Sequence, residues 1–476
     1  MAVSHGDGLP KRQVGQGRPH ALLSWDEHVK AESRRQSLES SLRERPSLAV
    51  EETAETCACH ALEKVCGMKR RKVHSLIDKV YSLKNLELAW KKVRKNKGAA
   101  GVDEVTIARF DERKGHYLAT LHCKLREGTY RPKPVRRVEI PKSAGGIRKL
   151  GIPAIFDRVC QQALVQRMEP IFEPNFAECS FGYRPGRSPH MAMREVWKAL
   201  MAGYEWAVDA DLRQFFDTIE QERLIDLVSE EISDGRVLNL IRVILGSGVL
   251  EAGCWQPTLT GVPQGGVASP LWSNIYLTPF DRAMTAAGYV TVRWADDFVV
   301  LCRTRAEANR ALIFARRFLH EELGVELHPQ KTQVVHVSQG FEFLGYKVKS
   351  GKGYRMPASK RRVKGNPRDL YAIPREKSVK RFKDQIRALT RRRIPLKLQD
   401  IIDRINPVIR GWGNYYRKAH VRRLFRQLDG WIERRLYSFL AKRWRNAMWR
   451  RYPARCLIDD FGLVRLTHLI PGLVTR

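Results

Sequence analysis

VTVRWADDFVVLC, residues 290–302, is the stretch that decides the fold. Val290, Val292 and Trp294 alternate with Thr291 and Arg293, Asp296 and Asp297 follow, and Phe298 to Cys302 run apolar. That pattern predicts a strand, a tight polar turn and a second strand, with two carboxylates at the hairpin tip. Upstream, WAVDADLRQFFD (206–217) alternates in the same way and brings Asp211 to the end of another apolar strand. Carboxylates on separate strand ends suit Mg²⁺, which takes a few protein oxygens and completes its shell with substrate phosphates. Two such ions about 4 Å apart clamp the attacking and leaving oxygens of a phosphoryl transfer. Either acidic motif alone is equally a solvated turn, since Asp is common there. Asp209 faces the same side as Asp211 but falls short of it, and Asp217 is expected to cap the following helix.

Between the acidic motifs lies TGVPQGGVASPLWSNIYL (260–277), a loop-to-helix stretch whose glycines and prolines bracket Gln264. Glycine permits close backbone approach to a ligand, and the Gln264 amide can read a sugar or base edge.

In chain order the sequence also carries KNKGAAGVD (95–103), IPKSAGGIRKLGIP (140–153), DRVCQQAL (157–164), FGYRPGRSPHMA (181–192), GVELHPQKT (324–332), FEFLGYKV (341–348) and INPVIRGWGNYYR (405–417). With these blocks the chain resembles the reverse transcriptases encoded by group II introns, the last block resembling their maturase, or X, domain. The resemblance implies an α+β fold: a right-hand polymerase with fingers and a ferredoxin-like palm, followed by an all-α thumb/maturase domain. The expected divisions are an N-terminal extension at 1–75, fingers at 76–200, palm at 201–348, a basic linker at 349–370, a helical thumb at 371–452 and a short tail at 453–476. A helix is expected from Ser75, with Leu76, Val80, Leu83, Leu86 and Ala89 on one face.

The resemblance also implies residue roles. Asp211 and Asp296 become the indispensable ligands of two Mg²⁺ ions, with Asp297 supporting them and the Leu212 carbonyl as a further ligand. Phe216 becomes the ring under the sugar that rejects a 2′-hydroxyl. Lys142 and Arg148, either side of the SAGG turn, would hold the triphosphate, and Lys331 would lie near the departing pyrophosphate. Arg184 and Arg187 would contact template or phosphate unless they serve structural ion pairs. Phe343 to Gly345 would support the primer end. One departure stands out: the family usually has Tyr two residues before Asp296, and this chain has Trp294.

The formal net charge is +35, which points to a polyanionic partner. Residues 351–450 hold 30 Lys/Arg against 7 Asp/Glu, so they supply +23 of it. The same segment carries Trp412, Tyr415, Tyr416, Trp431, Tyr437, Trp444 and Trp449. Most of these are expected in a helical core. Trp412, Tyr415 and Tyr416, after a glycine and off helical spacing, are the surface candidates for stacking RNA. The implied partners are group II intron RNA, an RNA template with its DNA primer, dNTPs and target DNA. No apolar run reaches the roughly 20 residues that span a bilayer. The N-terminus has no signal-peptide pattern and the nine cysteines are scattered, so a reducing cytoplasm is expected. Cys57, Cys59, His60 and Cys66 do not match a standard zinc spacing. No paired CxxC or His-rich nuclease block follows residue 453, so cleavage of a second DNA strand is not expected. Three other readings stay open: a reverse transcriptase of this lineage recruited to defence or repair, an RNA chaperone whose polymerase has decayed, and an RNA-dependent RNA polymerase, against which Phe216 argues.

Overall fold

In the computed structural model, the described residues are 72–141, 147–251, 253–258, 260–351, 369–391, 393–441 and 448–471. Nearly all of the expected N-terminal extension, the Cys57–Cys66 cluster, most of the basic linker, Lys142 and Trp444 lie outside them. The chain divides into two compact units, with the boundary between Tyr371 and Ala372.

In the first unit the helix expected from Ser75 is two helices, Ile77–Tyr81 and Leu83–Lys95. Ser82 between them has extended backbone (φ −54°, ψ 133°). Its hydroxyl donates to Lys79 O at 3.1 Å, and the Asn85 amide donates to Val80 O at 2.8 Å. These bonds take up carbonyls that the break orphans. The break also re-aims the apolar stripe: Leu86 and Ala89 are buried, while Leu83 is 51% exposed.

One sheet contains β1 (Val135–Pro141), β2 (Ile147–Ile152), β4 (Val249–Glu251) and β5 (Cys254–Gln256), in the order β2-β1-β4-β5. The other contains β3 (Trp206–Asp211), β6 (Val290–Trp294), β7 (Asp297–Cys302) and β8 (Gln333–His336), in the order β6-β7-β3-β8 with every pairing antiparallel. A hairpin of β9 (Phe341–Phe343) and β10 (Tyr346–Lys349) follows. Phe298 to Cys302 are all fully buried. Such a strand has both faces covered, which explains its continuous apolar run. Helices Ser269–Ala286 and Arg305–Leu323 pack against this sheet. The second of them starts where the Thr304 hydroxyl accepts from Glu307 N at 3.1 Å and stops at Gly324, whose φ is +60°.

The second unit is helical, built on Glu376–Leu389, Leu398–Tyr416 and Arg422–Leu440. Ile401, Ile405 and Ile409 form a buried stripe on the middle helix. The expected tail is part of this core. Leu457, Leu463 and Leu466 are buried, and Asn406 bonds Gly462 O and Val464 N, both at 2.9 Å. Asp429 receives Leu466 N at 2.8 Å, Thr467 N at 3.1 Å and the Thr467 hydroxyl at 2.7 Å. The short apolar pattern after 453 is broken by turns, which hides its contribution from periodicity.

Candidate active site

Strand register assembles the acids. β3 pairs with β7 so that Asp211 stands opposite Asp297, and β6 pairs with β7 so that Trp294 stands opposite Asp297. Directly opposed residues share a face of the sheet. The hairpin turn is therefore the two residues Ala295 and Asp296, with Ala295 at φ +59°. Leu212 N reaches Asp296 O at 3.4 Å, tying the β3 end to that turn. Burial raises the Asp296 carboxyl pKa and the charge of Asp211 raises it further, while Arg148 and Lys331 pull it down. The Lys331 ammonium forms an ion pair with Asp211 Oδ2. Its loop is fixed by His328 N, which donates to Asp211 O at 2.8 Å. Asp209, two residues back on the same face, has its pKa pushed up to about 6, chiefly by burial.

Among the described residues no group of three or more His, Cys, Asp or Glu side chains could hold a metal by itself. The donors that are present are hard oxygens: the two mutually repelling carboxylates of Asp211 and Asp296, at a strand end and the turn tied to it. That set fits Mg²⁺, which binds through one or two carboxylates and fills the remaining positions with water and substrate phosphate.

Behind the turn lies a cluster that periodicity did not single out. Arg293 is fully buried. Its guanidinium donates to Asp281 at 2.7 and 2.5 Å, Ser180 Oγ at 2.8 Å, Ala295 O at 2.9 Å and Asn274 Oδ1 at 3.2 Å. The signal was a cation inside an otherwise apolar strand, which must find a buried acid.

Several candidate residues have partners within the fold. Arg184 is buried and bonds Glu173, Ala177 O and Ser180 O, so its donors serve the fold. Arg187 pairs with Glu178 at 2.6 Å and lies over the Phe181 ring. Asp217 caps nothing: it lies inside the one-turn helix Phe215–Thr218, and the next helix begins after Glu220. The segment 412–416 is helical and packed. Trp412 stacks on Phe382 with centroids 4.6 Å apart and donates to Ser378 Oγ at 3.1 Å. Tyr416 is buried and bonds the same hydroxyl at 2.9 Å, while Tyr415 packs edge-on against Tyr416. A Cβ on Gly413 would collide with Leu466 and Leu469, so this glycine admits neighbours and does not end the helix.

Arg148 is exposed on β2, within electrostatic reach of Asp296. Phe216 is 9% exposed against 2% for Phe215, and the two rings meet edge-on at 5.4 Å. Gln264 holds β2 through its carbonyl, which accepts from Gly151 N at 2.8 Å. It lines a cavity of about 350 Å³ together with Arg137, Lys149 and Asp217. Leu344 (φ +49°) and Gly345 (φ +79°) make the two-residue turn between β9 and β10. A cavity of about 1630 Å³ is lined by Cys179, Met191, Thr291 and Phe318 among others and contains none of the three Asp residues.

Comparison with known proteins agrees with this geometry. Residues 140–348 match the family "Reverse transcriptase (RNA-dependent DNA polymerase)". The chain belongs to the reverse transcriptases. Residues 379–457 match "Group II intron, maturase-specific domain", so within that family it is of the group II intron reverse transcriptase/maturase type. Protein YkfC of Escherichia coli is 35% identical over 60% of this chain and 82% of its own length. Group II intron-encoded protein LtrA of Lactococcus lactis is 28% identical over 69% of this chain and 68% of its own length. An uncharacterized 91 kDa protein in the cob intron of Schizosaccharomyces pombe is 26% identical over 61% of this chain and 44% of its own length. Among the described residues no helix is long and apolar enough to cross a membrane.

Proposed function

We propose that this protein is an RNA-directed DNA polymerase that binds group II intron RNA, assists its splicing and copies it into DNA. The observation that carries the reading is the meeting of Asp211 and Asp296 at adjacent strand ends, with Lys331 paired to the first and Asp211 raising the second. In this reading residues 76–200 act as fingers, 201–348 as a ferredoxin-like palm and 371–452 as the thumb/maturase domain.

Asp211, Asp296 and the Leu212 carbonyl would hold two Mg²⁺ ions, with Asp297 supporting them. When bound, such ions lower the pKa of the primer 3′-hydroxyl and offset charge on the departing pyrophosphate. The chain's own side chains do the positioning. Arg148, with Lys142, supplies positive charge to the triphosphate. Lys331 keeps an ammonium beside Asp211, where it balances carboxylate charge and faces the departing phosphates. Phe216 presents its ring beneath the sugar and leaves no room for a 2′-hydroxyl. Gln264 addresses a sugar or base edge, and the turn at Gly345 supports the primer end. The +23 of residues 351–450 supplies the salt-dependent grip on RNA, and target DNA would meet the same basic surface.

The test is extension of a DNA primer on an RNA template by the purified protein, with and without a chelator, alongside splicing of group II intron RNA with and without the protein. Wild-type protein that extends no primer overturns the polymerase half. Splicing unaltered by the protein overturns the maturase half.

A further inference from the structure

Residues 179–183 run beside β6 and on past its end. Arg293 N donates to Cys179 O at 2.8 Å and Phe181 N donates to Arg293 O at 2.9 Å. Ser180 and Arg293 form a parallel bridge. Two residues on, Gly182 lies so close that a Cβ there would collide with the Ala295 backbone. Tyr183 follows Gly182 directly and lies within electrostatic reach of Asp296.

Both neighbours of Tyr183 are anchored. Gly182 O accepts from the buried Asn274 amide at 2.9 Å, and Arg184 is held by Glu173, Ala177 O and Ser180 O. Between them Tyr183 has φ +58° and is 53% exposed. A left-handed backbone costs a non-glycine residue about 1–2 kcal/mol. Leaving a large ring in water also forfeits its burial. Packing explains neither cost, and strain kept by a rigid surround is the mark of a residue aimed at a ligand. The phenol is also electrostatically coupled to the active site: burial raises its pKa, Asp296 raises it further, and Arg148 lowers it.

We infer that Tyr183 contacts the incoming nucleotide directly, its hydroxyl donating to an oxygen of the nucleotide held between Arg148 and the carboxylates, and its ring packing on that nucleotide. This rests on the polymerase reading. A phenol there also supplies the oxygen that Trp294 lacks at its own position near Asp296.

The experiment compares wild type, Tyr183→Phe and Tyr183→Asn in primer extension, with KM for dNTP and kcat measured separately and thermal unfolding as a control. Phe keeps the ring, while Asn tolerates the left-handed backbone without a ring. Tyr183→Phe is expected to raise KM about three- to tenfold, the value of one hydrogen bond, with kcat within about twofold. Tyr183→Asn should raise KM further at an unchanged Tm. If wild type is active and Tyr183→Asn has a wild-type KM, the inference fails alone. If both variants lose Tm and kcat together, the residue is structural and the inference fails. An inactive wild type takes both the polymerase reading and this inference with it.

Discussion

Asp296 and Asp429 are both acids held inside the fold, one on the sheet of the first unit and one on a helix of the second, and they behave oppositely. Asp429 is 3% exposed and is met by two backbone N–H groups and a hydroxyl. Its charge is used in joining the last apolar segment to the bundle. Asp296 is set at a strained turn beside another carboxylate, and both burial and that neighbour raise its pKa. The aromatics divide in the same way. Trp412 is stacked and hydrogen-bonded within its helical unit, whereas Tyr183 stands exposed at φ +58°. A polar or aromatic group whose needs the fold meets is architecture. One that the fold holds at a cost is available for a ligand.

The contrast is tested most severely at Asp296. Asp296→Asn removes one charge and one carboxylate oxygen, and on the proposed reading primer extension should fall on the order of 10³-fold or more, the scale seen when a single electrostatic group is removed from a preorganised site. Filter binding of RNA should be unaltered, because the 30 cations of residues 351–450 remain. Extension near the wild-type rate would show that the turn is only a turn. Next in size is Arg293→Ala, which strands Asp281, fully buried, without its cation. Removing one partner of a buried pair costs about 3–5 kcal/mol. Urea unfolding should report that loss. A stability change under about 1 kcal/mol would mean that water replaces the guanidinium and that Arg293 does not brace the turn.

The strands carrying the acids were legible because alternation and a continuous apolar run are local signals. So was the helix Arg305–Leu323, which Thr304 and Gly324 punctuate. The break at Ser82 was not legible, since it depends on Asn85 reaching Val80 O and, on another helix, Ala163 O at 3.0 Å. Nor was the fate of Arg184: a cation in a glycine-rich loop looks alike whether it meets phosphate or Glu173. Trp412, Tyr415 and Tyr416 were set apart as surface candidates because they follow a glycine and sit off helical spacing, whereas they lie in the helix Leu398–Tyr416, where Gly413 makes space for Leu466 and Leu469. Asp281, Ser180 and Asn274 meet at Arg293 only through tertiary folding, so no spacing along the chain could group them.

A third acid sharpens the comparison through pH. Asp157 is 2% exposed and accepts from the Tyr130 hydroxyl at 2.7 Å and Lys133 N at 3.0 Å, yet burial carries its pKa from 3.8 to about 6. Below pH 3.8 both folded and unfolded states hold the proton. Between 3.8 and about 6 the unfolded chain gives it up first, so the folded state binds more protons and stability falls as pH rises. Above about 6 the loss is complete, at about 3 kcal/mol. Asp157→Asn should flatten unfolding free energy across that window, and an unaltered slope would place the titration elsewhere. Trp412→Ala follows in size. It should destabilise the helical unit by about 2–3 kcal/mol, below the range for a fully buried ring, because Trp412 is only half-buried. Cognate and unrelated RNA should be affected alike. Loss of cognate binding alone, at full stability, would return Trp412 to RNA recognition.

The smallest effect is expected where the fold makes the least demand on a side chain. Arg381 is exposed on the helix Glu376–Leu389, with Phe382 beside it buried and stacked on Trp412. If the exposed cations of this helix neutralise phosphates, log K for RNA falls linearly with log[salt], with a slope of about −0.7 to −0.9 for each phosphate engaged. Arg381→Ala should then make the slope shallower by about one unit at most and weaken every RNA by the same factor. Stability should be unaltered, because no packed atom is removed. A salt titration with group II intron RNA and an unrelated RNA of equal length measures both quantities. An unaltered slope would mean that Arg381 faces bulk water in the complex. A loss confined to the intron RNA would mean that this helix reads structure as well as charge, and that specificity comes from an exposed cationic face of the second unit while its aromatic residues only shape that face from within.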